Sequence, residues 1–158
     1  MRLEYFLLVD RVLSLDLAAR KISCEATVPT ESTIFEGHFP GFPLMPGVLL
    51  IESMAQTSGW LLVAINKLER MPFLASVREA KLRTFVRPGQ RLTVEAQITH
   101  DGSGFAMTDA SISCDGRLIC NATLTFRLVP FPTPAFAAEM RKRAEAVGLL
   151  TDGARADG

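Results

Sequence analysis

Residues Gly37 to Trp60 read GHFPGFPLMPGVLLIESMAQTSGW, and the abrupt change of character inside that run sets terms for the whole chain. Six of the eleven residues from Gly37 to Gly47 are glycine or proline. Proline removes an amide donor and fixes φ while glycine frees it, so neither a helix nor a paired strand survives that density. A long helical stretch follows, from about Pro46 to Lys67, with Pro46 near the first helical position, where a missing N–H costs nothing. It is apolar on nearly every side, through Val48, Leu49, Leu50, Ile51, Met54, Ala55 and then Trp60 to Ile65. Such a helix has to be wrapped by protein or by lipid. Glu52, Gln56 and Asn66 interrupt the apolar run, which argues against a membrane span. The expectation is a central helix enclosed by a sheet, with one carboxylate, Glu52, set into its early turns.

At 158 residues the chain is expected to form one domain large enough to bury a real core. Seventeen basic and seventeen acidic residues cancel, so the bulk charge gives no reason to expect nucleic acid as a partner. The opening MRLEYFLLVDRV has only the short apolar run Phe6 to Val9, and no secretory leader is expected from it. The three cysteines, Cys24, Cys114 and Cys120, lack C-x-x-C spacing. Reduced, buried thiols in a cytoplasmic protein are the expectation. Two distant histidines and scattered cysteines offer no ligand cluster, so no metal site is expected.

Along the chain, Phe6 to Leu17 reads as a first strand, with Leu13, Leu15 and Leu17 alternating against Ser14 and Asp16. Lys21 to Val28 reads as its antiparallel partner, and Pro29 to Phe35 as a lead into the Gly/Pro loop. After the helix, Arg70-Met-Pro breaks the chain, and Phe73 to Val86 reads as a bent third strand ended by the turn Arg87 to Gln90. Arg91 to Thr99 alternates cleanly, Leu92, Val94, Ala96 and Ile98 against Thr93, Glu95, Gln97 and Thr99. His100 to Gly104 and Asp115-Gly116 read as hairpin turns flanking a strand from Phe105 to Cys114. In Arg117 to Val129, Leu118, Cys120, Ala122, Leu124, Phe126 and Leu128 share a face. From Pro130 the composition changes. Thr133 and Pro134 suit an N-cap and first helical residue, for a short helix from Ala135 to Val147 with Gly148 at its end. Thr151 to Gly158 are expected to form a flexible tail. The division is thus a single domain over residues 1–130 and a helical appendage with its tail over 131–158.

Five or six antiparallel strands with one long helix between the second and third make an α+β layer, the arrangement called the hot-dog fold. A sheet curled around a solitary helix leaves edge strands and a helix flank uncovered, and a dimer would complete their burial. The run from Gly37 to Gln56, G-H-F-P-G-x-P-x-M-P-G-V-L-x-x-E-x-M-A-Q, resembles the signature of β-hydroxyacyl-acyl-carrier-protein dehydratases of the FabZ type. The resemblance extends from Phe6-Leu-Leu-Val-Asp-Arg-Val12 to the Arg87-Pro-Gly turn and covers roughly residues 6 to 129. It is nearer to FabZ than to FabA, whose helix carboxylate is aspartate where this chain has Glu52. Two departures are an N-terminal lead reduced to Leu3-Glu-Tyr5 and a tail after Val129 longer than is usual for the family.

The resemblance implies dehydration of a (3R)-3-hydroxyacyl thioester to the trans-2-enoyl thioester. That chemistry needs a base at C2, an acid at the C3 hydroxyl and donors at the thioester oxygen. His38 suits the base, because an ordinary imidazole titrating at about 6.5 offers a neutral ring at working pH; the alternative is that it only hydrogen-bonds its own loop. Glu52 suits the acid, because a carboxylate in apolar surroundings tends to hold its proton; the alternative is a salt bridge or a solvated face. The resemblance implies that the two meet across a dimer interface. The amides of Gly47 and Val48, in the unpaired first turn of the helix, suit the thioester oxygen. Gln56, one turn after Glu52, suits the orientation of that carboxylate. Phe39, Phe42 and Met54 are candidates for an acyl tunnel as well as for plain core. His100 is read as structural or solvated. Arg78, Lys81, Arg83, Arg87 and Arg91 place five positive charges in fourteen residues against Glu79 alone, a rim able to steer an acidic acyl carrier protein. No dissociable cofactor is expected, and a homodimer, with a trimer of dimers left open, is implied. The competing readings are an acyl thioesterase, a non-catalytic acyl-binding protein of the same fold, and the double-bond isomerase of the FabA branch.

Overall fold

In the structure, a computed structural model described for residues 1–150, one sheet of six antiparallel strands curls around one helix. The strands are β1 (Arg11–Asp16), β2 (Lys21–Thr27), β3 (Met71–Leu82), β4 (Arg91–Gly102), β5 (Phe105–Cys114) and β6 (Arg117–Val129). Their order across the sheet is β1-β2-β4-β5-β6-β3. The helices are α1 (Thr33–Gly37), α2 (Gly47–Ile65) and α3 (Pro134–Ala146). The chain is α+β with the expected hot-dog arrangement: α2 leaves after β2, packs against β2 through β6, and returns at the far edge of the sheet as β3. The tail assigned to Thr151–Gly158 lies outside the described residues.

Local chemistry explains the elements. β4 to β6 form a meander whose hairpin turns are Ser103-Gly104 and Asp115-Gly116, all four residues with positive φ between 49° and 78°. Two-residue turns of that hand match the twist of the strands they join. The inward face of β4, Leu92, Val94, Ala96 and Ile98, is buried as its alternation predicts. On α2, Leu50, Met54, Leu61 and Leu62 join Ile22, Ile112 and Leu124 in one core. Each such side chain contributes about 1.5–3 kcal/mol when fully buried. The polar residues on the sheet-facing side of α2 are satisfied in part internally: Ser58 and Thr108 hydroxyls lie 2.8 Å apart, and Ser53 Oγ donates to the Leu8 carbonyl at 3.0 Å. By length and composition α2 could cross a membrane, yet here it is the core helix of a sheet.

Several boundaries differ from expectation, each for a physical reason. The first strand begins at Arg11, not Phe6. Phe6 has φ 53° and closes a 3-10 turn over Leu3–Tyr5, and Gln56 then takes up the backbone of Phe6 and Leu8. In β1 a bulge between Val12 and Ser14 turns Leu13 outward, 45% exposed, so the leucine alternation does not line one face. In β6 a register shift leaves Ile119 as the extra residue: it is buried while Leu118 is 46% exposed. β3 ends at Leu82 instead of Val86, whose carbonyl accepts from Met45 N–H at 2.8 Å. β4 runs on through His100 to Gly102, so His100 is an exposed strand residue opposite Met107 and not part of the turn. The lead into the Gly/Pro loop contains α1, capped by Ser32 Oγ, which accepts from Ile34 N–H at 3.1 Å.

Candidate active site

The Gly/Pro segment folds into a small closed loop. Phe39 and Phe42 exchange backbone hydrogen bonds at 3.1 and 2.9 Å around Pro40 and Gly41. Gly41 has φ +72°, which the third position of a type II turn demands and which glycine adopts at little cost. His38 ends α1, its N–H donating to the Ile34 carbonyl at 3.0 Å. Leu44 closes the loop by donating to the His38 carbonyl at 2.9 Å, while His38 Nδ1 lies 3.0 Å from the Leu44 carbonyl. A carbonyl can only accept, so Nδ1 carries a proton and, in a neutral ring, Nε2 keeps its lone pair free. The ring stacks on Phe39 at a centroid distance of 4.1 Å.

Glu52 and Gln56 stand one turn apart on α2. Gln56 Nε2 donates to Glu52 Oε1 at 3.1 Å and to the Phe6 carbonyl at 2.8 Å, and its Oε1 accepts from Leu8 N–H at 3.1 Å. Glu52 is half-buried, not enclosed by the core, because α2 keeps one stripe turned away from the sheet. Along that stripe, Glu52, Gln56, Gly59, Trp60 and Val63 line a cavity of about 700 Å³. The size is that of a small-molecule site. Its lining is mostly apolar, with Leu74, Phe73 and Phe126 of the sheet on one side. The arrangement suits a ligand with a reactive polar head at Glu52 and a hydrocarbon tail beyond.

The other sequence-predicted residues fall in three places. Gly47 and Val48 open α2, ahead of Leu49 and Leu50, whose amides donate to the Pro46 carbonyl at 3.0 and 3.3 Å. Val48 is 72% exposed. Gly47 is pressed by β3, since a Cβ there would stand 2.5 Å from Leu82 Cδ1. Met54 is fully buried in the core and does not line the cavity. Phe39 and Phe42 are half-exposed on the loop, away from the cavity lining. His38 is likewise absent from that lining, and no hydrogen bond joins it to Glu52 among the described residues.

Arg78, Lys81, Arg83 and Arg87 are all exposed, and none is ion-paired among the described residues. Arg83 donates to Asn121 Oδ1 at 2.7 Å, and the Arg87 guanidinium lies 5.3 Å from the centroid of the Phe42 ring. Arg91 instead lies 3.9 Å from Glu25, which also pairs with Arg11. Sequence reasoning missed the part of the cavity contributed by the C-terminal helix, Phe136, Met140 and Val147. The available signal was their spacing of four and seven residues, which puts them on one helical stripe.

A sheet wrapped on one helix, with a carboxylate and an amide set into the wall of a mostly apolar cavity, defines a protein of the hot-dog fold. The chain belongs to the FabA-like domain family, whose model matches residues 2–123. It is 39% identical over 127 residues to the 3-hydroxyacyl-[acyl-carrier-protein] dehydratase FabZ of Chlamydia pneumoniae, spanning 78% of this chain and 83% of that one. It is 36% identical over 121 residues to the enzyme of the same name from Fusobacterium nucleatum subsp. nucleatum, spanning 77% and 85%. Among solved structures, the fold is similar to the dehydratase heterocomplex ApeI:P from Xenorhabdus doucetiae, with TM-score 0.62, 17% identity and coverage of 86% and 90%. It is equally similar to a hypothetical thioesterase with coenzyme A from Streptococcus pneumoniae TIGR4, with TM-score 0.61, 16% identity and coverage of 78% and 88%. The backbone alone thus does not separate dehydration from thioester hydrolysis.

Proposed function

We propose that this chain is a 3-hydroxyacyl-[acyl-carrier-protein] dehydratase of fatty acid synthesis. His38 Nε2 removes the C2 proton, the electron pair forms the C2–C3 double bond, and Glu52 protonates the departing C3 oxygen as the C–O bond breaks. The products are water and the trans-2-enoyl thioester. Negative charge on the thioester oxygen is met by the Gly47 and Val48 amides at the positive end of α2. Gln56 holds the Glu52 carboxyl in place. The observation that carries the reading is Glu52, bonded to Gln56, at the wall of the apolar cavity.

His38 reaches that carboxyl from a second copy of the chain. The margin at β3 favours such pairing: Val77 and Leu82 of β3 are 39% and 50% exposed, Phe85 just after it 69%, and Val48 at the start of α2 72%. Apolar surface of that extent on an open edge calls for a cover. Arg78, Lys81, Arg83 and Arg87, without an ion-pair partner among the described residues, receive the acidic carrier protein. The three free, buried cysteines fit a reducing compartment, and we place the enzyme in the cytoplasm.

The test follows hydration of enoyl thioesters by loss of enoyl absorbance, with free thiol measured in the same samples. Wild type hydrates without releasing thiol, and His38→Ala and Glu52→Gln each lose about 100-fold or more. Mixing the two inactive variants restores activity once subunits exchange, because each supplies the group the other lacks. Absence of hydration in folded wild type, or thiol release as the main event, overturns the assignment.

A further inference from the structure

α3 lies beyond the residues 2–123 that the family model matches. It is nevertheless firmly placed. Thr133 Oγ1 caps it by accepting from Phe136 N–H at 3.1 Å. Its far end is anchored on the sheet: Ala144 and Leu149 are buried, and the Val147 carbonyl accepts from Val12 N–H of β1 at 2.8 Å. Between these anchors, Phe136, Met140 and Val147 line the same cavity that Glu52, Gln56 and Trp60 line from α2. Glu139 and Arg143, an ion pair at 3.2 Å, lie on the same stripe and keep their charges matched to each other. The apolar groups that α3 and its cap offer the cavity are thus Phe136, Met140, Ala146 and Val147, of which Phe136, 43% exposed, and Met140 are the large ones on the helix itself.

We propose that α3 is a specificity element: Phe136 and Met140 form the cavity wall that limits how far an acyl chain can run from Glu52. The occupant is the hydrocarbon tail of the thioester, since the lining is mostly apolar and three of its charged side chains, Asp10, Glu139 and Arg143, are already paired with the Met1 amino group or with each other. The proposal rests on the dehydratase reading for its turnover arm only. Shortening Phe136 lengthens the space, and replacing Met140 by a bulkier ring shortens it.

Two measurements on the full chain test this. The first compares kcat/KM across a series of enoyl thioesters from short to long chain. Phe136→Ala raises the ratio of longest to shortest substrate about tenfold, and Met140→Phe lowers it by a similar factor, the discrimination a hydrophobic pocket achieves per methylene or so. Lys142→Ala, exposed and outside the cavity lining, leaves the ratio unchanged. The second uses Trp60, the single tryptophan of the chain, as a fluorescent probe of saturated acyl-pantetheines, which lack the hydroxyl and cannot be dehydrated. Tight binding extends to longer chains in Phe136→Ala and retreats to shorter ones in Met140→Phe. Unchanged length profiles in both variants, with the protein folded, overturn the proposal, as does failure of any chain length to perturb Trp60. Length-dependent binding that shifts in the variants, with no turnover of any substrate, upholds the role of α3 and overturns the dehydratase reading instead.

Discussion

The side-chain amide of Gln56 donates to Glu52 Oε1 at 3.1 Å from one helical turn further along α2. The same amide also holds the Phe6 carbonyl and the Leu8 N–H, so one residue serves both the carboxyl group and the N-terminal crossing of the chain. Gln56→Leu is similar in size and forfeits all three bonds. It strands Leu8 N–H in a part-buried place, at a cost of about 1–3 kcal/mol, read as a lower Tm. Because the loss frees Glu52 to turn, kcat falls while KM changes little. Equal effects on both, or activity at wild-type level in a destabilised protein, would remove Gln56 from the positioning role.

Gly47 lies so close to Leu82 that a Cβ there would stand 2.5 Å from Leu82 Cδ1, and one of the two must shift. The obstructing atom is the end of a half-exposed side chain, so Leu82 can rotate away. Gly47→Ala therefore destabilises by about 1 kcal/mol, at the low end of overpacking costs. Leu82→Ala in the same chain recovers most of that loss. The double-mutant cycle on Tm checks it, and additive effects would show that the contact is not the cause.

Glu4 responds to acid. Its carboxylate accepts from Ser32 Oγ at 2.6 Å and from Thr33 N–H at 2.9 Å, and these bonds, the Ser32 hydroxyl foremost, hold its pKa down from an ordinary 4.5 to about 2. A lowered folded pKa means that the native state binds fewer protons. The stabilisation is complete above pH about 4.5 and is lost as pH falls through about 2. Glu4→Gln should lower Tm at pH 7 and match wild type near pH 2. A constant difference across that window would contradict the bonding described.

The thiols respond to base. Burial pushes Cys24 up to about 12 and Cys120 up to about 11, and it raises Cys114 as well. An unfolded thiol ionises near pH 9 while the folded ones stay protonated, so stability falls as pH rises from about 9 towards 11–12. A thiol reagent at pH 8 should label Cys24 and Cys120 only after denaturant is added. Rapid labelling of either in the native protein would refute their burial.

Much of the architecture was legible because period and punctuation agreed. The alternation of β4, the Asp115-Gly116 turn, the helix after Pro46 and the Thr133-Pro134 start of α3 all appear where the residues place them. The misses came where a residue obeyed a tertiary partner. Leu13 and Leu118 read as inward members of an alternating face, yet bulges in β1 and β6 turn them out. Phe6 reads as strand, yet its neighbours answer to Gln56 some fifty positions away, a distance no local window spans. In the candidate site, Glu52 and Gln56 announced themselves as polar breaks in an apolar helix. Phe136 and Met140 carried only the signal of a shared stripe, which does not say what cavity their helix will line.

The bond from Val12 N–H to the Val147 carbonyl has a consequence for growth of the sheet. β1 and β3 are its two margins, and a ribbon with both margins open could add copies without end. Here the residue that follows α3 occupies β1 at that amide, while β3 keeps its exposed side chains. A strand offered by another copy would therefore find the β3 margin open and the β1 margin partly taken, which disfavours open-ended growth of the sheet.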